Sequence, residues 1–144
     1  MLGKRRIASV ALTTGLVAAG LLSSPSPALA VSNSNCAPYL LQGPMCYYYH
    51  SYYDGARAAI ASTVNDLYTW TFADGDGAGT YVANNAGSGR NYDDRCTAVT
   101  WEHVGGAAGG GASIALKPYL VSGWQSATLG ALNNNNRSLA WKCP

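Results

Sequence analysis

Glutamate and phenylalanine each occur once in 144 residues, lysine only three times, and charged residues make up 11% of the chain, against about 25% in an ordinary globular domain. So few surface helix formers exclude a coiled coil, an acidic disordered tail and a basic nucleic-acid-binding domain. No apolar run reaches the ~20 residues that span a bilayer. The longest, Ile7 to Leu22, is broken by Thr and Gly. No cysteines are spaced C-x-x-C, and His50 and His103 are the only imidazoles, so a zinc centre lacks ligands. Catalytic patterns are also missing. Gly87-Ser88-Gly89 follows Ala86 rather than completing G-x-S-x-G, and the glycine run Gly105 to Gly111 lacks the Lys-Ser/Thr of a phosphate loop. Glu102 with Asp93 or Asp94 is the one carboxylate pairing to consider, and nothing in the sequence marks it for acid–base work. The chain reads as a non-enzyme.

What is abundant points one way. Seventeen glycines, ten tyrosines and four tryptophans, with Thr, Val and Asn, describe short strands joined by turns, an all-β protein. At the start, Lys4-Arg5-Arg6, the apolar stretch and Ala28-Leu29-Ala30 have the order of a secretory signal peptide cleaved after Ala30. The expectation is a leader over 1–30 and a single secreted domain over 31–144. The six basic residues beyond the leader (Arg57, Arg90, Arg95, Lys117, Arg137, Lys142) meet seven acidic ones. That balance has no electrostatic footprint for nucleic acid or an anionic membrane.

Cys36, Cys46, Cys96 and Cys143 all follow the leader, an even count that reads as two disulfides in a small exported domain. Three connectivities exist. The pairing of chain neighbours, Cys36–Cys46 and Cys96–Cys143, is favoured because it staples each half independently. On the loop-entropy account the shorter loop contributes about 2.7 kcal/mol and the longer about 4 kcal/mol.

Along the chain, the aromatic run Tyr47 to Tyr53 ends at Asp54-Gly55, a hairpin signal. Tyr47, Tyr49 and Tyr52 are expected to share one face, opposite Tyr48 and Tyr53. Strands are expected at 56–62, 67–72, 96–101, 113–116, 129–132 and 139–141, with turns at Asp74 to Gly79 and at Lys117-Pro118. Overlaying the two parts of the chain superposes Ser88 on Ser138, each inside an Asn-Asn-x-x-Ser frame. The result is a repeat of about 50 residues, with halves near 36–92 and 93–144. Each half would be four short strands, a Greek key, sharing one core.

Tyr48-x-x-x-x-Tyr53-x-Gly55 resembles the aromatic–glycine hairpin signature of the βγ-crystallin Greek key. In the second half Trp101 can stand as first aromatic, but Gly106 occupies the next place and Gly109 falls one residue late, so that hairpin is expected to be degenerate or bulged. The chain beyond the leader also resembles the secreted actinobacterial peptidase inhibitors of family I36, which include metalloproteinase inhibitors with a crystallin-like fold. The resemblance rests on the Cys36–Cys46 spacing, the Tyr-rich run, Val82-x-Asn84-Asn85-Ala86-x-Ser88-x-x-Asn91 and the Asn-rich end closing on Ser138 and Trp141. It implies a βγ-crystallin-like sandwich of two Greek keys, acting as a monomer on an extracellular protease and requiring no cofactor. The family's inhibitory loop lies near a mid-chain cysteine, which corresponds to Asp94, Arg95, Cys96, Thr97 and Ala98. Thr97 and Ala98 are small for a metalloproteinase that prefers large apolar side chains, and a plain disulfide-tethered connector is the competing reading.

Two further roles stay open. The Asn-Asn-x-x-Ser segments resemble the calcium clamp of microbial crystallins, which makes Asn85, Ser88, Asn135 and Ser138 candidate ligands. Both copies lack the final Ser (Gly89 and Leu139) and neither carries an Asp, so turn-forming asparagines compete as an explanation. Asp74 to Gly79 begins like an EF-hand loop but lacks the third oxygen ligand and the closing Glu. A toxin-like antimicrobial role is the third implication of the fold.

Overall fold

The computed structural model describes residues 30–31, 35–38 and 42–144; the expected leader, apart from Ala30, lies outside them. The strands are β1 (Ala30–Val31), β2 (Met45–Tyr48), β3 (Arg57–Ile60), β4 (Trp70–Thr71), β5 (Ser88–Asn91), β6 (Thr97–Trp101), β7 (Ser113–Leu116), β8 (Gln125–Ser126) and β9 (Ser138–Lys142). Four single 3-10 turns complete the elements, and no α-helix occurs among the described residues.

Alternation along β2 sets the layering. Met45 and Tyr47 point into the main core, while Cys46 and Tyr48 join a second cluster with Tyr92 on the outer face. β2 is therefore buried on both sides, which is why it reads as an unbroken apolar and aromatic run. The main core fills the space between two sheets. Tyr47 and Ile60 come from the first sheet, and Ala98, Leu116 and Leu139 from the second. Each large side chain so buried contributes roughly 1.5–3 kcal/mol. The Tyr47 hydroxyl meets the Thr100 hydroxyl across the two sheets at 2.7 Å, so the largest core residue leaves no polar atom unpaired. Burial pushes the Tyr47 phenol above its ordinary range, with the Thr100 hydrogen bond opposing.

The first sheet has the order β3-β2-β5-β8 and the second β7-β6-β9. β8 belongs to the second half yet adds to the first sheet, with Gly89 opposite Ser126 and Arg90 opposite Gln125. The first half reciprocates at Val64, which exchanges backbone hydrogen bonds of 2.8 and 2.9 Å with Leu139 of β9. The halves are thus interlocked rather than self-contained four-strand units. β1 pairs in parallel with β4, opposite Trp70 and Thr71.

Two expected strands are corrected. Residues 129–132 form the 3-10 turn Gly130–Leu132, because Leu129 and Leu132 stand three apart and both bury there. The third strand of that half is instead the short polar β8. Of 67–72, Leu67–Thr69 is a 3-10 turn, its Tyr68 N–H donating to the Asp66 carboxylate at 3.0 Å. Only Trp70–Thr71 is extended. The disulfides are Cys36–Cys46 and Cys96–Cys143, with Cα separations of 5.7 and 4.3 Å. Two disulfides and no free cysteine among the described residues suit an oxidising compartment. No described helix is long and apolar enough to cross a membrane.

Candidate functional site

Each half folds its first hairpin back on itself, and a serine holds the fold. Tyr48 lies opposite Ser88, and Trp101 lies opposite Ser138. The Ser88 hydroxyl accepts from the Tyr53 N–H at 2.9 Å and donates to the His50 carbonyl at 2.7 Å. Ser138 repeats this with the Gly106 N–H at 3.0 Å and the His103 carbonyl at 2.6 Å. Both serines are fully buried and spent on the backbone, which explains the repeat seen in the sequence without a ligand.

The asparagine loops preceding these serines cross each other. The Asn84 N–H donates to the Asn136 carbonyl at 2.8 Å, and the Asn134 N–H to the Ala86 carbonyl at 3.0 Å. Asn84 and Asn134 both adopt positive φ, 58° and 55°, a conformation asparagine tolerates. The Asn85 amide is tied to the Tyr81 and Ala83 carbonyls. The Asn135 amide donates to Glu102 at 2.9 Å. Between the loops lies a cavity of about 360 Å³ lined by Tyr49, His50, Asn84, Asn85 and Asn134, and Asn84 Oδ1 is buried without a hydrogen-bond partner. Among the described residues no cluster of three or more His, Cys, Asp or Glu is placed to hold a metal ion.

The catalytic candidates are engaged elsewhere. His50 pairs with Asp76 at 2.8 Å on the surface, and His103 bonds the Gly109 carbonyl at 3.0 Å. Glu102 accepts from the Ala112 N–H at 2.8 Å and from Asn135. Those bonds, the backbone one foremost, hold its carboxyl below the ordinary range. The Asp93 carboxylate is buried and accepts from the Arg95 and Cys96 N–H groups.

The segment singled out for inhibition divides. Asp94 and Arg95 are exposed in a tight turn closed by Asp93, but Thr97 and Ala98 belong to β6, and Ala98 is fully buried. The part of the segment open to a partner is therefore Asp94-Arg95. A neighbouring loop stands out more. Leu120 is 74% exposed at φ +65° and Val121 is 46% exposed. A large apolar residue at positive φ is strained, yet the loop is held firmly. The Val121 N–H donates to the Pro118 carbonyl at 3.0 Å, Trp124 to Val121 at 2.9 Å and Lys117 to Gly123 at 3.0 Å. The Tyr119 and Trp124 rings pack at 4.8 Å, each 5.6 Å from Tyr92.

The two segments share one anchor. The Tyr119 N–H donates to the Asp93 carbonyl at 2.6 Å. Asn91, fully buried, places its amide nitrogen within 3.0 Å of the Cys96, Leu116 and Lys117 carbonyls and accepts from the Asp93 N–H. The sequence reading passed over Leu120 and Val121; their signal was an apolar pair inside a loop bounded by Pro118 and Gly123.

No protein-family model matches the chain, and no curated protein matches it. Among solved structures it is similar to one described as "Evolution of the eye lens beta-gamma-crystallin domain fold", with a TM-score of 0.55 and 14% identity over 75% of this chain and 93% of that one. At that identity the likeness speaks for fold alone. With its two interlocked Greek keys, antiparallel sheets and paired disulfides, the chain has a βγ-crystallin-like fold.

Proposed function

We propose that the protein is a secreted, stoichiometric inhibitor of extracellular metalloproteinases, and that the contact is made by Leu120 and Val121 with the Asp94-Arg95 turn beside them. The observation that carries this reading is Leu120 itself, a large apolar side chain held out to solvent in a strained backbone conformation by a loop pinned at its base. An inhibitor needs a rigid segment that enters the protease cleft without reorganising, since preorganisation lowers the cost of binding. Leucine and valine offer the large apolar group that Thr97 and Ala98 lack. The Asn91 network and the Cys96–Cys143 disulfide would keep the segment in place were a bond in it cleaved. Titrating the secreted protein against metallo- and serine proteases tests this. The expected result is a stoichiometric end point on metalloproteinases, with the inhibitor recovered at intact mass. Flat curves across the panel would overturn it.

A second reading, calcium binding, is favoured by Asn84, which lines the cavity where the two asparagine loops cross and whose Oδ1 is buried without a hydrogen-bond partner. On that reading the melting temperature rises with Ca²⁺ and Asn84→Ala abolishes the rise; identical melting with and without Ca²⁺ contradicts it.

A further inference from the structure

The outer face of the first sheet holds a second cavity, of about 400 Å³, whose lining includes Tyr48, Tyr53, Arg57, Asp74, Arg90 and Tyr92. Its volume falls in the range of small-molecule sites, roughly 300–1,000 Å³. Arg90 is fixed in it by neutral partners. Its guanidinium carbon lies 3.8 Å from the centre of the Tyr53 ring, its Nε donates to Gln125 at 3.1 Å, and Nη1 reaches the Tyr92 hydroxyl at 3.4 Å. Arg57 sits opposite Tyr48 in the β2–β3 register and is exposed. Among the described residues the ion pairs are His50–Asp76 and Arg137–Asp66, so neither cavity arginine is in contact with a carboxylate. Arg137 makes the contrast instructive: it too lies over a tyrosine ring, Tyr68, at 4.5 Å, but there the charge is paired.

Tyr53 adds a second, independent observation. It sits at φ +66° directly after Tyr52 at φ +61°, and the matching residues of the second hairpin are Gly105 and Gly106, at +81° and +61°. Where the second hairpin has glycine, the first carries a ring that meets Tyr48 edge-on at 5.7 Å, lies against the Arg90 guanidinium and walls the cavity. Aromatic faces and a fork of guanidinium donors bind a carboxylate attached to a ring. The lining also carries an acceptor, the Asp74 carboxylate, which repels a plain anion but takes hydrogen bonds from hydroxyl groups.

We infer that this cavity binds an acidic sugar, a hexuronate residue at the end of a saccharide chain. The ring packs on Tyr53, the carboxylate meets Arg57 and Arg90, and hydroxyls donate to Asp74. The site is independent of protease inhibition. It is tested by calorimetric titration of the disulfide-intact protein with trigalacturonate, alongside maltotriose, inorganic phosphate and a tripeptide with a free carboxyl end. Saturable binding to trigalacturonate alone is expected. It should weaken about tenfold or more in Arg57→Gln and in Arg90→Gln and also fall in Tyr53→Gly, while Leu120→Asp leaves it unchanged. Free galacturonate binding as tightly as the trimer would mean that the monosaccharide acid is the whole ligand, which still supports the site. No saturation by trigalacturonate, equal binding of phosphate or peptide, or full binding by a folded Arg57→Gln protein would overturn it. Arg57 is exposed, so that variant keeps the test open even where Arg90→Gln disturbs packing.

Discussion

The two folded hairpins perform the same manoeuvre with different residues. In each, two successive residues take positive φ, and a buried serine across the sheet bonds the same two backbone groups at nearly the same distances. The second hairpin makes the turn with Gly105-Gly106, which adopt that conformation freely. The first makes it with Tyr52-Tyr53, at a cost of about 1–2 kcal/mol per residue. In the first, the opening aromatic finds a partner ring: Tyr48 meets Tyr53 edge-on at 5.7 Å. In the second, Trp101 lies beside Gly106, whose Cβ position would lie 3.7 Å from the indole. The shared serine clasp is what the fold requires. The tyrosine pair, which carries the aromatic–glycine signature, is confined to the first hairpin, where the Tyr48–Tyr53 contact is set against the backbone strain.

The largest expected effect tests what the hairpins share. Ser88→Ala and Ser138→Ala each strand a buried N–H and a carbonyl, so each should cost about 1–3 kcal/mol in urea unfolding. A loss confined to one of them would end the equivalence. The next tests where they differ. Gly106→Ala should destabilise by about 1 kcal/mol, since its φ is +61°, whereas Tyr52→Gly, on an exposed side chain, should stabilise by up to about 1 kcal/mol. Equal losses from the two changes would show that the first hairpin carries no strain.

The smallest effect is a division by pH. Burial first, and then the neighbouring Tyr92, push the Tyr48 phenol from 10 up to about 12. A raised pKa means that its contribution is complete below pH 10 and is lost as pH rises through 12. Tyr48→Phe should therefore flatten the alkaline decline in stability, to which Trp101, having no titrating proton, adds nothing. Glu102, beside the second hairpin, is shifted down by the Ala112 N–H and then Asn135. Its contribution is present above the ordinary carboxylate range and is lost as pH falls through the depressed value, so Glu102→Gln should flatten the acid limb.

Much of this was legible in the sequence where a local rule forces the outcome. Gly55 at φ +78° after an aromatic pair announced the first hairpin. The cysteine order announced the two staples, and the 50-residue offset matched Ser88 to Ser138. The strand exchange was not legible, because β8 is two polar residues held by pairing with β5 rather than by any apolar pattern of its own. Thr97 and Ala98 fell both in the strand expected at 96–101 and in the candidate inhibitory loop; β6 begins at Thr97 and buries Ala98, so the strand reading holds and the loop stops short of them. Leu120 escaped notice because an exposed leucine at positive φ violates propensity, and only the fold around Pro118 and Asp93 holds it there. Arg57 and Arg90, far apart in sequence, converge only through the β3-β2-β5 order.

On the proposed reading the apolar loop anchors the protease contact and the charged Asp94-Arg95 turn beside it forms only the rim. The inhibition constants of Leu120→Asp and Arg95→Ala against one metalloproteinase with an apolar specificity pocket test it most directly. Loss of a buried apolar anchor predicts an increase of about 100-fold for Leu120→Asp and a change within about threefold for Arg95→Ala, a rim charge. A larger loss from Arg95→Ala, or undiminished inhibition by Leu120→Asp, would contradict the account.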